Sequence, residues 1–171
     1  MNWKNYKNHI GSKNVKIRQD VTPIFENPKI FHNLIADMIK PFRKTSYNKI
    51  VALDALGFVL GSAIAYKTKK SLVLIRKRGK LPYPNKFLES INFTDYTKSK
   101  KGFDIKKGSL NKKDRVLIVD EWIQTGTQAK SAIKLIEKLG AKIIGISTIN
   151  TDLNKKTEIL FEKYNCKSLN N

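Results

Sequence analysis

The chain has 171 residues, 40% of them hydrophobic, and carries 34 Lys and Arg against 14 Asp and Glu, a net charge of +20. That length suits one domain with a real core, read here as residues 1–171, and Cys166, the single cysteine, excludes an internal disulfide or a cysteine-built metal cluster. The longest apolar stretch, Val51 to Ala65, is broken by Asp54, Gly57 and Gly61, and the opening MNWKNYKNHIGSKN lacks a signal-peptide core, so a cytoplasmic protein with no membrane partner is expected.

In chain order, NPKIFHNLIADMIKPF places Asn27 as N-cap, Pro28 at the first helical position and Phe31, Leu34, Ile35, Met38 and Ile39 on one face. A helix ending near Pro41 follows. KIVALD (Lys49 to Asp54) reads as a strand, GFVLGSAIAYKT (Gly57 to Thr68) as a helix and SLVLIR (Ser71 to Arg76) as a strand. Periodicity loosens between Lys77 and Asp114, where only INFTDY and GFDIKK suggest short strands. RKRGKLPYP, Arg76 to Pro84, reads either as a solvated loop or as a mobile basic cover for a polyphosphate.

Val116 to Val119 show no polar alternation and predict a strand buried on both faces. Asp120 and Glu121 fall at its carboxyl end, where open α/β sheets bind ligands. AKSAIKLIEKL then spaces Ala129, Ala132, Ile133, Ile136 and Leu139 helically, with Gly140 just beyond as a C-terminal cap. Gln124 to Gln128 is therefore a loop entering a helix, with a glycine and two threonines suited to a phosphate. Two acids beside such a cradle would repel the phosphate itself, so ribose hydroxyls or a hydrated Mg²⁺ are their fitting partners. The competing reading is a solvated strand end beside a capped helix. A strand over Lys142 to Asn150 and a weak helix over Lys156 to Tyr164 close the alternation, which predicts an α/β fold with a mostly parallel sheet flanked by helices. His9 and His32 stand at no metal-ligand spacing and read as surface residues, and Cys166, near a polar tail, reads as incidental rather than a nucleophile.

Arginine is limited to Arg18, Arg43, Arg76, Arg78 and Arg115, and the lysines are spread along the whole chain. The charge attracts anions without specifying nucleic acid.

The run from VALDALGF through LVLIRKRGKLP and FTDY to RVLIVDEWIQTGTQ resembles, in order and spacing, the adenine phosphoribosyltransferases among the type I phosphoribosyltransferases. The likeness begins at IRQDVTPIF. It implies the type I fold with a flexible hood loop, a homodimer, and transfer of 5-phosphoribose from phosphoribosyl pyrophosphate to a purine base, with Mg²⁺ held mainly through substrate rather than by direct protein ligands. By the resemblance, Asp120 and Glu121 hold the ribose hydroxyls. Gln124, Thr125, Gly126, Thr127 and Gln128 cradle the 5-phosphate, while Arg76, Lys77 and Lys80 reach pyrophosphate. Asp95 and Tyr96 take the place of a Glu-Tyr pair that closes over the base. Ile17, Arg18 and Gln19 line the base site. The family's aromatic at position 18 is here an arginine, and its aliphatic after the two acids is Trp122, so the stacking surface has changed sides. The alternative to Trp122 as a base platform is plain core packing.

Two departures weigh on activity. Ala55, Leu56 and Gly57 stand where the family carries Ser-Arg-Gly, and the phosphate loop lacks a second glycine. An enzyme and a non-catalytic nucleotide-sensing or nucleic-acid-binding regulator on the same scaffold are the two readings.

Overall fold

The structure is a computed structural model that describes residues 3–11, 19–94 and 99–170. Helices α1 (Trp3–Lys7) and α2 (Pro23–Glu26) precede α3 (Pro28–Ile39). The α3 start is the one its sequence predicts: Asn27 Oδ1 accepts the Ile30 N–H at 3.1 Å and Pro28 occupies the first turn. Past Ile39 the chain tightens into a 3-10 turn, Lys40–Phe42, because Pro41 supplies no N–H to continue the helix.

The remaining elements are β1 (Lys49–Leu53), α4 (Leu56–Thr68), β2 (Ser71–Lys77), β3 (Leu88–Thr94), β4 (Lys100–Lys106), β5 (Arg115–Ile123), α5 (Thr127–Lys138), β6 (Lys142–Thr151), α6 (Glu158–Tyr164) and β7 (Cys166–Ser168). They form a seven-stranded sheet in the order β3-β4-β2-β1-β5-β6-β7. From β2 to β7 neighbouring strands run parallel, whereas β4 pairs antiparallel with both β2 and β3. The fold is thus α/β with a mostly parallel sheet, as expected.

Two hydrophobic layers enclose the sheet. Val116 and Ile118 join Leu135 and Ile136 of α5 and Leu160 of α6 on one side, while Leu117 and Val119 join Leu34 and Met38 of α3 and Leu60 and Ile64 of α4 on the other. Burial on both faces is why β5 shows no polar alternation in the sequence. The β1-α4-β2 connection leads away from β5 and β5-α5-β6 leads away from β1, so a topological switch point opens between the carboxyl ends of β1 and β5.

Three segments are defined more closely here. The loosely periodic middle segment is a long hairpin, β3 and β4, paired over seven residue pairs from Leu88↔Lys106 to Thr94↔Lys100. Its alternation is weak in sequence because β3 is at the sheet edge and largely half-exposed. The last helix starts at Glu158 instead of Lys156. Cys166, read as incidental rather than nucleophilic, lies in β7, 2% exposed, where burial pushes its thiol up to about 11, so it is no thiolate nucleophile at neutral pH.

Candidate active site

At the switch point lies a cavity of about 400 Å³. Gln19, Asp20 and Val21 form one wall, Leu56 a second, and the unbroken run Asp120–Ala129 the third. The loop from Asp54 to Leu56 and the end of β5 come together because position 57 is glycine: a Cβ there would sit 3.0 Å from the Val119 carbonyl oxygen and 3.3 Å from Asp120 Oδ1. A larger residue would push α4 off the acid pair.

The two acids interrupt the strand's two-residue alternation. Val119 and Trp122, three positions apart, face the α3/α4 layer, while Ile118 and Ile123 face the α5 layer. Asp120 is 7% exposed and its Oδ1 accepts the N–H of Glu121 at 2.9 Å, while Glu121 is half-buried. Both line the cavity. Asp20, on the opposite wall, accepts the Thr22 backbone N–H at 2.9 Å and the Thr22 hydroxyl at 2.7 Å, and these bonds hold its carboxyl below the usual range.

Beyond Ile123 the loop enters α5 through Gly126, which acts as N-cap at φ +75° and brings no side chain to cap the helix. The first-turn N–H groups, which have no intrahelical acceptor, therefore look onto a cavity lined by Thr127, Gln128 and Ala129. Thr125 and Thr127 share a hydrogen bond between their hydroxyls at 3.2 Å. Among the described residues, positive φ outside glycine occurs only at Lys69 and Asn165, so Thr127 needs no glycine's freedom. The backbone here makes its turn with one glycine.

Trp122 is half-buried: it packs against the α3/α4 layer, lines the cavity, and donates its indole N–H to Asp152 Oδ1 at 3.2 Å. Its expected counterpart Arg18 lies outside the described residues, as do Ile17, Asp95 and Tyr96.

The basic hood residues do not line this cavity. Arg76 Nε and Lys77 Nζ each approach Asp54 at 3.5 Å, and the Arg76 guanidinium also donates to the Lys80 carbonyl at 3.1 Å and lies 6.0 Å from the Phe58 ring centroid. Lys80 itself is exposed. The turn is tied to the hairpin by Asp104, 2% exposed, which accepts the Gly79 N–H at 2.7 Å and the Ser90 hydroxyl at 2.6 Å. Arg78, in the same turn, donates to Asn92 on β3. Asp54 therefore places two cations beside the loop whose family arginine is here Leu56. Sequence patterns also gave no sign of Asp20, Val21 or Ala129 as lining residues, nor of Asp152 behind Trp122: Asp20 and Val21 come from the segment before α2, and the β5–β6 pairing brings Asp152 to the indole.

The phosphoribosyl transferase domain matches residues 20–171. The chain belongs to the phosphoribosyl transferase family. It is 36% identical over 154 residues to the adenine phosphoribosyltransferase of Nitrosopumilus maritimus, covering 88% of this chain and 86% of that one. It is 38% identical over 131 residues to that of Roseobacter denitrificans, 77% of this chain and 72% of the other. The crystal structure of adenine phosphoribosyltransferase from Thermoanaerobacter pseudethanolicus superposes with a TM-score of 0.85 at 27% identity, over 98% of each chain. The Saccharomyces cerevisiae enzyme, solved with an imino-altritol bisphosphate and adenine, gives a TM-score of 0.81 at 25% identity over 98% of this chain and 97% of that one. A phosphoribosyl transferase of the adenine kind, type I in fold, is what this sequence resembles throughout.

Proposed function

We propose that the protein, acting as one domain, transfers 5-phosphoribose from phosphoribosyl pyrophosphate to adenine or a close purine, giving a nucleoside monophosphate and pyrophosphate. One observation carries the reading: a carboxylate pair and an uncapped helix N-terminus line the same cavity at the switch point. In the reaction the bond from ribose C1 to pyrophosphate breaks with its electron pair leaving on oxygen, a purine ring nitrogen forms the new bond to C1, and the base loses a proton. Asp120 and Glu121 accept hydrogen bonds from the ribose hydroxyls and lie on the side where positive charge grows on the sugar. Gln124 to Gln128 receive the 5-phosphate. Trp122 and Gln19 border the base, with Ile17 and Arg18 completing that wall and Asp95 and Tyr96 closing over it, Asp95 serving as acid/base. Arg76, Lys77 and Lys80 meet pyrophosphate, the first two compensating for Leu56.

Mg²⁺ fits this site as an ion borne by substrate. Among the described residues no three His, Cys, Asp or Glu side chains gather as a ligand set, and Asp54 is engaged with Arg76 and Lys77, so Asp120 and Glu121 are the oxygen donors at hand. When bound, Mg²⁺ would neutralise the charge of the departing pyrophosphate.

A homodimer is the assembly we infer. Helix α4 is apolar nearly all round, and Val59 and Tyr66 on its outer side are 41% and 90% exposed, a surface that a second copy would cover. Sedimentation should give twice the chain mass, reduced to the monomer by Val59→Lys with Tyr66→Lys. We place the activity in the cytoplasm: no described helix is long and apolar enough to cross a membrane, and Cys166 is a free buried thiol.

The test is a panel of free bases with phosphoribosyl pyrophosphate and Mg²⁺, read by pyrophosphate release. Adenine should give the fastest release. Binding of adenosine monophosphate with no release from any base would replace the enzyme by the nucleotide-sensing alternative.

A further inference from the structure

We propose that the turn from Asp152 to Thr157, which follows β6, is a brace that positions both halves of the site: Asp152 sets the Trp122 ring for the base, and Asn154 sets the phosphate loop.

Tryptophan has one donor, its indole N–H, and a half-buried indole takes the orientation in which that donor is satisfied. Here the acceptor is Asp152 Oδ1 at 3.2 Å. The same oxygen accepts Asn150 Nδ2 at 2.8 Å, and Asn150 is the residue paired with Trp122 across β5 and β6, 4% exposed. Asp152 is also fixed along its backbone. Its N–H donates to the Ile123 carbonyl at 2.8 Å, and its own carbonyl accepts the Thr157 hydroxyl at 2.6 Å from a fully buried side chain. The carboxylate thus holds the indole edge from a site that is itself held on three sides.

Two residues on, Asn154 Nδ2 donates to the Gln124 carbonyl at 2.9 Å and to the Asp152 carbonyl at 3.0 Å. Gln124 opens the loop that enters α5. Asn154 is locked in turn: its N–H donates to Thr157 Oγ1 at 3.0 Å and its Oδ1 accepts the Lys156 N–H at 2.9 Å. One short turn therefore bonds the ring beside the base and the first carbonyl of the phosphate loop, through different residues. Neither Asp152 nor Asn154 lines the cavity, so both act through their neighbours.

This inference rests on the purine phosphoribosyltransferase reading, and the experiment separates the two. Steady-state kinetics with adenine and phosphoribosyl pyrophosphate are paired with the NMR signal of the Trp122 indole N–H in ligand-free protein, in a Trp3→Phe background that leaves Trp122 the one tryptophan. Losing one hydrogen bond that orients a binding group corresponds to a KM change of up to about tenfold. Asp152→Leu should raise KM for adenine by about that factor, with KM for phosphoribosyl pyrophosphate moving less than about threefold. Asn154→Ala should do the reverse. Asp152→Asn keeps an acceptor oxygen and should restore both the adenine KM and the indole signal. If Asp152→Leu does not fold, Trp122→Phe keeps a ring and removes the donor, and should raise the adenine KM alone. The brace is overturned if Asp152→Leu and Asn154→Ala raise both KM values together, if Asp152→Asn behaves as the leucine variant, or if the indole signal of Asp152→Leu is unmoved. Failure of the parent protein to turn over or bind any purine would defeat the enzyme reading instead, with the indole signal still reporting the Asp152 bond.

Discussion

One aspartate stands just before strand β5 and another in its carboxyl-terminal half, and the two are used in opposite ways. Asp114, just before the strand, is 3% exposed and enclosed by protein partners: Lys49 Nζ at 3.0 Å, Asn48 Nδ2 at 2.9 Å and the Asn111 N–H at 2.8 Å. Burial alone would raise its carboxyl, but Lys49, Asn48 and Asn111 together hold it below the usual range. Asp120, at the far end, is buried almost as deeply, yet it sits on a cavity wall beside Glu121. Asp114 is spent on joining β1 to β5, and Asp120 and Glu121 line a cavity.

The largest test of that contrast is to remove charge at the cavity end. Asp120→Asn with Glu121→Gln should lower kcat/KM by at least about a thousandfold, roughly 4 kcal/mol of transition-state stabilisation, while circular dichroism and melting temperature stay near the parent. A collapsed fold would show that the pair supports the sheet instead.

At the amino end the expectation is inverted. Asp114→Ala should cost about 2 to 3 kcal/mol of stability, since it leaves the half-buried Lys49 with the Ser109 carbonyl alone and the Asn111 N–H and Asn48 Nδ2 without their acceptor, and both KM values should hold. The pH dependence follows from the depressed carboxyl. Its stabilisation is full above the unfolded carboxylate pKa and is lost as pH falls through the lower folded value, so acid melting of the parent should be steeper than that of Asp114→Asn. Equal acid profiles would remove Asp114 from that role.

This end-to-end difference also separates what the sequence made legible from what it did not. Acids after a four-residue apolar run, then a loop and a helical repeat, are local patterns, so β5, α5 and the loop between them could be read directly. The α3 cap is equally local. Asp20 and Asp152 are not: Asp20 reaches the cavity from the segment before α2, and Asp152 reaches Trp122 through the β5–β6 register, relations no short window contains. The hairpin was legible only as two short strands, INFTDY and GFDIKK, for another reason. An edge strand half-exposed on both faces has little pattern to read, and β7, at three residues, is too short to show a period.

A smaller effect is expected at the loop after β1. Arg76 and Lys77 already stand beside Asp54, so Leu56→Arg adds a third cation rather than a first. Binding of phosphoribosyl pyrophosphate, followed by calorimetry, should tighten by about tenfold, the low end for one charge-assisted contact. A gain near a hundredfold would mean that the two existing cations do not reach pyrophosphate; no gain would place pyrophosphate elsewhere.

The smallest change concerns the single glycine of the phosphate loop. Gly126 has φ +75°, and a Cβ there would meet the Lys156 carbonyl oxygen and Thr157 Cγ2 at 3.4 Å, a contact the packing can accommodate. The penalty for Gly126→Ala is therefore mainly conformational, about 1 kcal/mol for an L-residue held in the left-handed region. Thr127 has no such φ and opens α5, so Thr127→Gly should also cost up to about 1 kcal/mol, but through lost helix propensity. The two variants are alike in melting temperature and differ in ligand response. Gly126→Ala shifts the entry to the helix and should weaken adenosine monophosphate binding beyond its effect on stability. Thr127→Gly, which restores the family's glycine pair, should leave the loop's path unchanged and give no tighter binding. If Thr127→Gly tightens the nucleotide instead, the one-glycine turn is a compromise forced by the threonine, and the cavity end of β5 is less fully adapted to its phosphate than its amino end is to Lys49.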